Sequence, residues 1–353
     1  MSDVFFRCKV SPPRTASGII HSRKQWEHMP DFRLREMFST FHELPQTELS
    51  LAWVAIVEAY SGLKLTKPTQ DRLIALSGVA DEFGRALSLR EKENLVPEPQ
   101  EVDDDRSVYV AGLWLSFLLD GLLWEKVGEE PHERLSSIPS YSWASVYARV
   151  QWSSTLFFSD QAAGDCQVVN VLYAQSCEAV ALAEHPSFVN GSPEYRPPTD
   201  TSRRPTFPVL ALRTKVQPVI LGSKFQTEDD RDLVARLTEQ RSSSSGQTNT
   251  NWRKVASYLD REHISGWASL DDPEFQGDCS SQVIFALHIV RRFAKSTPGV
   301  GHRTGIHAIF SVLFVKRVEG LIEGYERIGV GVVFGKEIEK QFQTAVTREV
   351  RLL

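Results

Sequence analysis

Ile306-His307-Ala308-Ile309-Phe310-Ser311-Val312-Leu313-Phe314-Val315-Lys316-Arg317-Val318 is an apolar run of strand composition, dominated by Val, Ile and Phe. β-branched and aromatic side chains suit a pleated, buried surface, so the run reads as a β-strand. Four further stretches read the same way: 167–174, 207–216, 282–291 and 325–334. Turn-forming segments separate them, including Asn190-Gly191-Ser192-Pro193 and Arg196-Pro197-Pro198. Gly324, Gly329, Gly331 and Gly335 do not form a GxGxxG phosphate motif. They sit in a strand pattern and read as a bulge or tight turn.

Upstream of Trp152 the pattern is helical. Leu49, Ala52, Trp53, Ile56, Val57 and Tyr60 make one apolar stripe at helical spacing. The stripe predicts a helix over about 48–61, with Thr47 as a cap and Gly62 just past the end. A second helix is predicted from Pro68, where a missing N–H costs nothing, with Leu73, Leu76, Ala80, Phe83 and Leu87 buried. A third is predicted over about 107–118, carrying Tyr109, Val110, Leu113, Trp114 and Phe117. Residues 90–107, rich in Glu, Asp and Pro, read as a solvated loop.

Smaller features complete the pattern. Val4–Val10 reads as a short strand, and 14–46 as irregular with a helical turn around Phe32–Phe41. A polar helix is expected around Val234 and Leu237, and 241–251 reads as a low-complexity, disordered loop. A last short helix is expected with Ile338, Phe342 and Val346. No internal repeat is present. Helices first and strands later predict an α+β protein, its helical part packed on a mostly antiparallel β-rich part. The expected division is 1–153, mainly helical with a short N-terminal strand, and 154–353, β-rich. If strand 4–10 pairs with the late strands, the two form one compact unit.

Composition sets limits on function. The chain has 353 residues, 41% hydrophobic and 24% charged, with eight Trp and 19 Phe, enough for a sizeable core. A net charge of −5 argues against a general nucleic-acid binder, which needs a basic face for phosphates. Cys8, Cys166, Cys177 and Cys279 form no CxxC pair and no zinc spacing with histidine, so reduced, buried thiols are expected. The first 20 residues lack a long apolar core, and Val108–Trp124 is interrupted by Ser116, Asp120 and two glycines. A cytoplasmic protein without a membrane span is the expectation.

No catalytic motif emerges. There is no Walker phosphate loop and no GxSxG elbow, and Ser77-Gly78 lies in a helical pattern. His42-Glu43 lacks the second His of a zincin site. His302 and His307 read as a turn entering a strand rather than a metal pair. Asp103-Asp104-Asp105 reads as a solvated loop, and Asp271-Asp272 with Glu274 and Asp278 as a turn. Cys177-Glu178 has no neighbouring base to activate the thiol. Trp114, Trp124, Trp143 and Trp152 have the makings of a stacking platform, but core anchorage is the better reading. The pair Asp71-Arg72 likewise reads as structural. No residue is therefore assigned a catalytic, cofactor-binding or metal-binding role, and no cofactor is expected.

An ordered set of aromatic phrases remains: Trp53, Tyr60-Ser61, Leu65-Thr66, Asp71 to Ala80, Tyr109-Val110-Ala111-Gly112-Leu113-Trp114, Leu122-Leu123-Trp124, Pro139 to Ser145, and Tyr325-Glu326-Arg327-Ile328-Gly329. In this order they resemble the region that follows the HET domain in fungal heterokaryon incompatibility (HET) proteins. The resemblance is dense over roughly 53–145 and sparse after it. Tyr141 stands where that family usually has Trp, and Ile138 where it usually has Ala. The Leu-Ser-Tyr-x-Trp-Gly and Asp-x-x-Cys-Ile-(Asp/Asn)-Gln phrases of the HET domain do not occur.

The resemblance implies a non-enzymatic regulatory or partner-sensing region acting in fungal nonself recognition and programmed cell death. It implies a protein partner, such as a HET domain or another incompatibility factor. It also suggests a C-terminal region standing alone, as a truncated product or a gene lacking its first part. The rival expectation is an enzyme, such as a hydrolase, whose carboxylates converge with Cys177 or a His only in the fold. A relative that has lost its function is a third.

Overall fold

The computed structural model describes residues 46–94, 109–128, 134–135, 137–152, 166–174, 182–183, 207–225, 252–259, 261, 263–272, 275, 283–294, 307–321 and 323–353. The readings of strand 4–10, most of 14–46, Asp103 to Asp105, Cys177, the helix at Val234 and Leu237, loop 241–251 and His302 lie outside these residues. A few helices precede a large, mostly antiparallel sheet, which is an α+β arrangement.

Helix α1 (Gln46–Ser61) forms where the apolar stripe requires it, and Leu49, Ala52, Trp53, Ile56 and Val57 are buried. The helix expected from Pro68 is two helices, α2 (Pro68–Ile74) and α3 (Ser77–Asn94). Between them Leu76 N–H bonds to Leu73 O (3.3 Å), a tightened turn, and Ala80 N–H then bonds to Leu76 O (2.8 Å). The buried face survives the break, because Leu73, Leu76, Ala80, Phe83 and Leu87 all remain inside. Ser77-Gly78 lies in the first turn of α3.

The helix expected over 107–118 does not form. Strands β1 (Tyr109–Val110) and β2 (Leu113–Trp114) make a hairpin there. Its two central residues, Ala111 (φ 47°) and Gly112 (φ 93°), are left-handed, as a two-residue hairpin of matching twist demands. The hairpin puts Tyr109 and Trp114 edge-on to Trp53, at 5.6 and 5.7 Å between ring centroids. Edge-on aromatic packing of this kind adds about 0.5–1.5 kcal/mol per pair beyond area burial. Aromatic spacing alone does not distinguish this cluster from a helical stripe. A 3-10 turn (Leu115–Phe117), α4 (Leu118–Gly121), β3 (Glu125–Lys126), a second 3-10 turn (Trp143–Ser145) and β4 (Val150–Gln151) follow. Strands β3 and β4 pair antiparallel.

The large sheet contains β5 (Gln167–Ala174), β6 (Leu182–Ala183), β7 (Phe207–Lys224), β8 (Trp252–Ser257), β9 (Ile264–Leu270), β10 (Ile284–Ala294), β11 (His307–Arg317), β12 (Gly324–Phe334) and β13 (Thr347–Leu352). Six of these close on themselves. The order is β10-β11-β12-β9-β8-β7, and β7 pairs again with β10 through Val216 to Val219. The result is a closed antiparallel barrel. Strand β13 runs parallel to β12 at Tyr325 and antiparallel to β7 over 210–215, strapping one strand to the other.

Both faces of β11 are covered. Val312 and Phe314 belong to one apolar cluster, with Phe310, Ala286 and Val255. Leu313 and Val315 belong to another, with Trp53, Trp124 and Trp143. Hence the run reads as continuously apolar instead of alternating. Helix α5 (Lys336–Thr344) adds Ile338 and Phe342 to the first cluster. Burying each of these side chains favours folding by about 1.5–3 kcal/mol. Val346, expected on this helix, lies beyond it and is 71% exposed, because the chain turns into β13. Gly329 and Gly331 lie within β12, not in a turn. A Cβ at Gly331 would fall on the carbonyl of Trp267, and one at Gly329 on that of Ser269. Only Gly335 (φ 102°) makes the expected turn, and the register shift falls beside Gly329, between Phe314 and Val315 on β11.

Candidate functional site

The phrases that carry the resemblance meet in space. The carbonyl of Gly112 accepts from the indole N–H of both Trp53 (3.2 Å) and Trp143 (2.9 Å). Ser142 Oγ donates to Ala111 O and accepts from Ala144 N–H (3.1 Å), fixing the second 3-10 turn. Trp124 donates to Tyr141 O (2.9 Å), and Tyr141 donates to Pro208 O on β7 (3.1 Å). Tyr147 exchanges two hydrogen bonds of 3.0 Å with the backbone of Leu65. Trp152 donates to Asp120 O (3.2 Å). Trp53, Trp114, Trp124, Trp143 and Trp152 are all buried, so they are anchors in a packed interior. They do not line an open platform.

Arg72, from the Asp71-Arg72 pair, is buried against the same nucleus. Its guanidinium lies 5.4 Å from the Trp143 ring and 5.7 Å from the Tyr147 ring, and Nη2 donates to Ala148 O (2.8 Å). Burial pulls its pKa down to about 10. Burial likewise pushes the neighbouring Tyr60 phenol up to about 12, against the opposing pull of Arg72.

Arg327, from the last phrase, joins this nucleus to the barrel. Its Nε and Nη2 form a bidentate pair with Asp271 at 3.1 and 3.2 Å. Nη1 donates to Leu122 O (2.6 Å) and Nη2 to Trp124 O, while Cζ lies 3.4 Å from the Trp124 ring. The Arg327 N–H donates to Ser140 Oγ (2.9 Å). Desolvation lowers the Arg327 pKa and Asp271 opposes this. Arg134 adds a second cation, 3.8 Å from Asp271, and donates to Arg327 O (2.7 Å). Asp271 follows β9 as a turn residue should, but it is only 2% exposed and ion-paired. The acidic spacing carries no sign of that partner, 56 residues away.

A second feature is open to solvent. A depression of about 260 Å³ lies where β10, β11 and β12 approach β13. Val216, Pro218, Phe285, Arg317, Tyr325, Val346 and Arg348 are among the residues that line it. The Arg317 guanidinium sits 5.4 Å from the Phe285 ring and 5.9 Å from the Tyr325 ring. Tyr325 Oη donates to Glu323 Oε2 (3.1 Å). Contact with the Tyr325 hydroxyl raises the Arg317 pKa, and desolvation raises that of Tyr325. Sequence reading missed this group. Its members come from five strands and the turn before β13, and only the charged end of the run at 306–318 hints at it.

Of the other residues singled out earlier, Cys166 is buried and its thiol pKa is pushed up to about 12 by desolvation. His307 opens β11. Among the described residues no group of three or more His, Cys, Asp or Glu side chains is placed to hold a metal ion. Among them, too, no helix is long and apolar enough to cross a membrane. No family model, curated protein or solved structure matches the chain.

Proposed function

We propose that this chain is a regulatory, partner-sensing region of the heterokaryon incompatibility type, acting in fungal nonself recognition without catalysing a reaction itself. The observation that carries this reading is the convergence just described. Phrases separated by up to 205 residues, Leu122 and Arg327, bond directly to one another. A signature spent on interior anchors describes a scaffold, and a scaffold's function lies on the surfaces it presents. In this reading the helical part, 1–153, packs on the β-rich part, 154–353, as one unit, with Arg327 as the joint. The partner is a protein, a HET domain or another incompatibility factor, met in the cytoplasm.

The test is calorimetric titration of the purified chain with a recombinant HET domain. Saturable binding tighter than about 100 μM is expected, corresponding to about 5.5 kcal/mol. No heat of binding across that range, with several HET domains of differing specificity, counts against the proposal.

A further inference from the structure

We propose that the depression between β13 and the ends of β10, β11 and β12 recognises an acidic segment of a partner protein, a carboxylate side chain flanked by an apolar one. Its biological use rests on the partner-sensing reading; its chemistry does not.

The charge at this place is left over from the local pairing. On neighbouring positions Lys316 pairs with Glu326 at 3.0 Å, Arg134 with Glu326 at 2.9 Å, and Arg327 with Asp271. Arg317 and Arg348 both line the depression, and among the described residues neither forms a salt bridge within 4.0 Å, although the Glu323 carboxylate adds to the rise in the Arg317 pKa. Arg317 is also held in place. Stacked against Phe285 and Tyr325, its guanidinium keeps a flat face and a fixed fork of donors. Such a fork matches a carboxylate bidentately, and the stacking restricts the rotamer freedom that binding would otherwise remove. Tyr325 is itself steadied by Glu323.

The walls select the rest of the ligand. Val216, Pro218 and Phe285 offer hydrocarbon beside the cation, and Val346, also in the lining, is exposed. A volume of about 260 Å³ is below the span of drug-sized sites, roughly 300–1,000 Å³, and suits a side chain or two presented by a peptide. A phosphate dianion would leave the apolar walls uncovered. A nucleic acid strand would need many more cations than these two, on a chain whose net charge is −5.

Fluorescence anisotropy with a labelled peptide of sequence Leu-Asp-Glu-Leu-Phe-Glu tests this on the full chain, beside its amide twin Leu-Asn-Gln-Leu-Phe-Gln. Inorganic phosphate and a poly-uridine oligonucleotide are the competing arms. The acidic peptide is expected to bind submillimolar and the amide twin at least about tenfold more weakly. Arg317→Glu and Arg348→Glu should each cost about tenfold, and Val346→Asp should weaken binding as well. Thermal unfolding shows whether each variant is folded; Arg348→Glu and Val346→Asp change exposed positions and carry the test if Arg317→Glu does not fold. Equal binding of both peptides, indifference to the charge reversals, or binding of phosphate or oligonucleotide in place of the peptide overturns the inference. Peptide binding without HET-domain binding removes the nonself-recognition role and keeps the site. HET-domain binding without a peptide response does the reverse.

Discussion

Replacing Arg327 with Met should separate the aromatic nucleus from the barrel. The guanidinium is fully buried and satisfies Asp271 bidentately, two carbonyls of the 122–124 segment and the face of Trp124. Methionine keeps much of the volume and none of the donors. Leaving one member of a buried ion pair alone costs about 3–5 kcal/mol, because the remaining charge has been taken out of water. The lost contact with the indole face adds about 1–2 kcal/mol. Arg134 stays 3.8 Å from Asp271 and offsets part of this. The net loss should be about 4 kcal/mol, a large share of the roughly 5–15 kcal/mol that holds a typical domain folded.

Urea unfolding followed by indole fluorescence reads this loss as a midpoint lowered by about 1.5–3 M, at a slope of about 1.5–2.5 kcal/mol per M. Arg327→Met combined with Asp271→Leu should recover at least about 1 kcal/mol over the sum of the single changes, since the second removes the stranded carboxylate. A single variant within about 1 kcal/mol of the parent, or strict additivity in the cycle, would show that this joint carries little of the stability.

Other expectations follow from the same packing. Gly331→Ala should destabilise by at least about 2 kcal/mol in the same assay, because the new methyl meets the Trp267 carbonyl and strands β12 and β9 must part. Tyr60→Phe should be nearly neutral at pH 7. The native phenol titrates at about 12 against an ordinary 10.0, so the unfolded chain ionises first and stability falls from pH 10 towards 12; the phenylalanine variant should lose that part of the alkaline slope in pH-dependent melts. Cys166, with its thiol pKa near 12, should resist alkylation at pH 8 in the native chain and react once urea unfolds it, as peptide mapping by mass spectrometry would record.

Helix α1 was legible because its stripe repeats over almost the whole length. Strands β10, β11 and β12 were legible because burial on both faces leaves an unbroken apolar run. Strands β8, β9 and β13 were not read from the sequence. In β9, Ser265, Gly266 and Ser269 interrupt the pattern, and β13 buries only Val350 and Leu352. The hairpin at 109–114 has aromatic spacing that also suits a helix, and left-handed backbone at Ala111 is not marked by residue type. The arginine pair at 317 and 348 was invisible for another reason: Arg317 becomes distinctive only once Phe285 and Tyr325 stand beside it.

The sequence by itself determined the α+β class, the first helix, the longest strands and the structural character of the buried tryptophans, because local period and side-chain volume fix these within a dozen residues. The tertiary structure alone decided that six strands close into a barrel, that Arg327 meets Asp271 and Trp124, and that Arg317 and Arg348 share one depression. Each of those depends on contacts between residues tens to hundreds of positions apart, and such contacts are chosen by the packing of the whole chain.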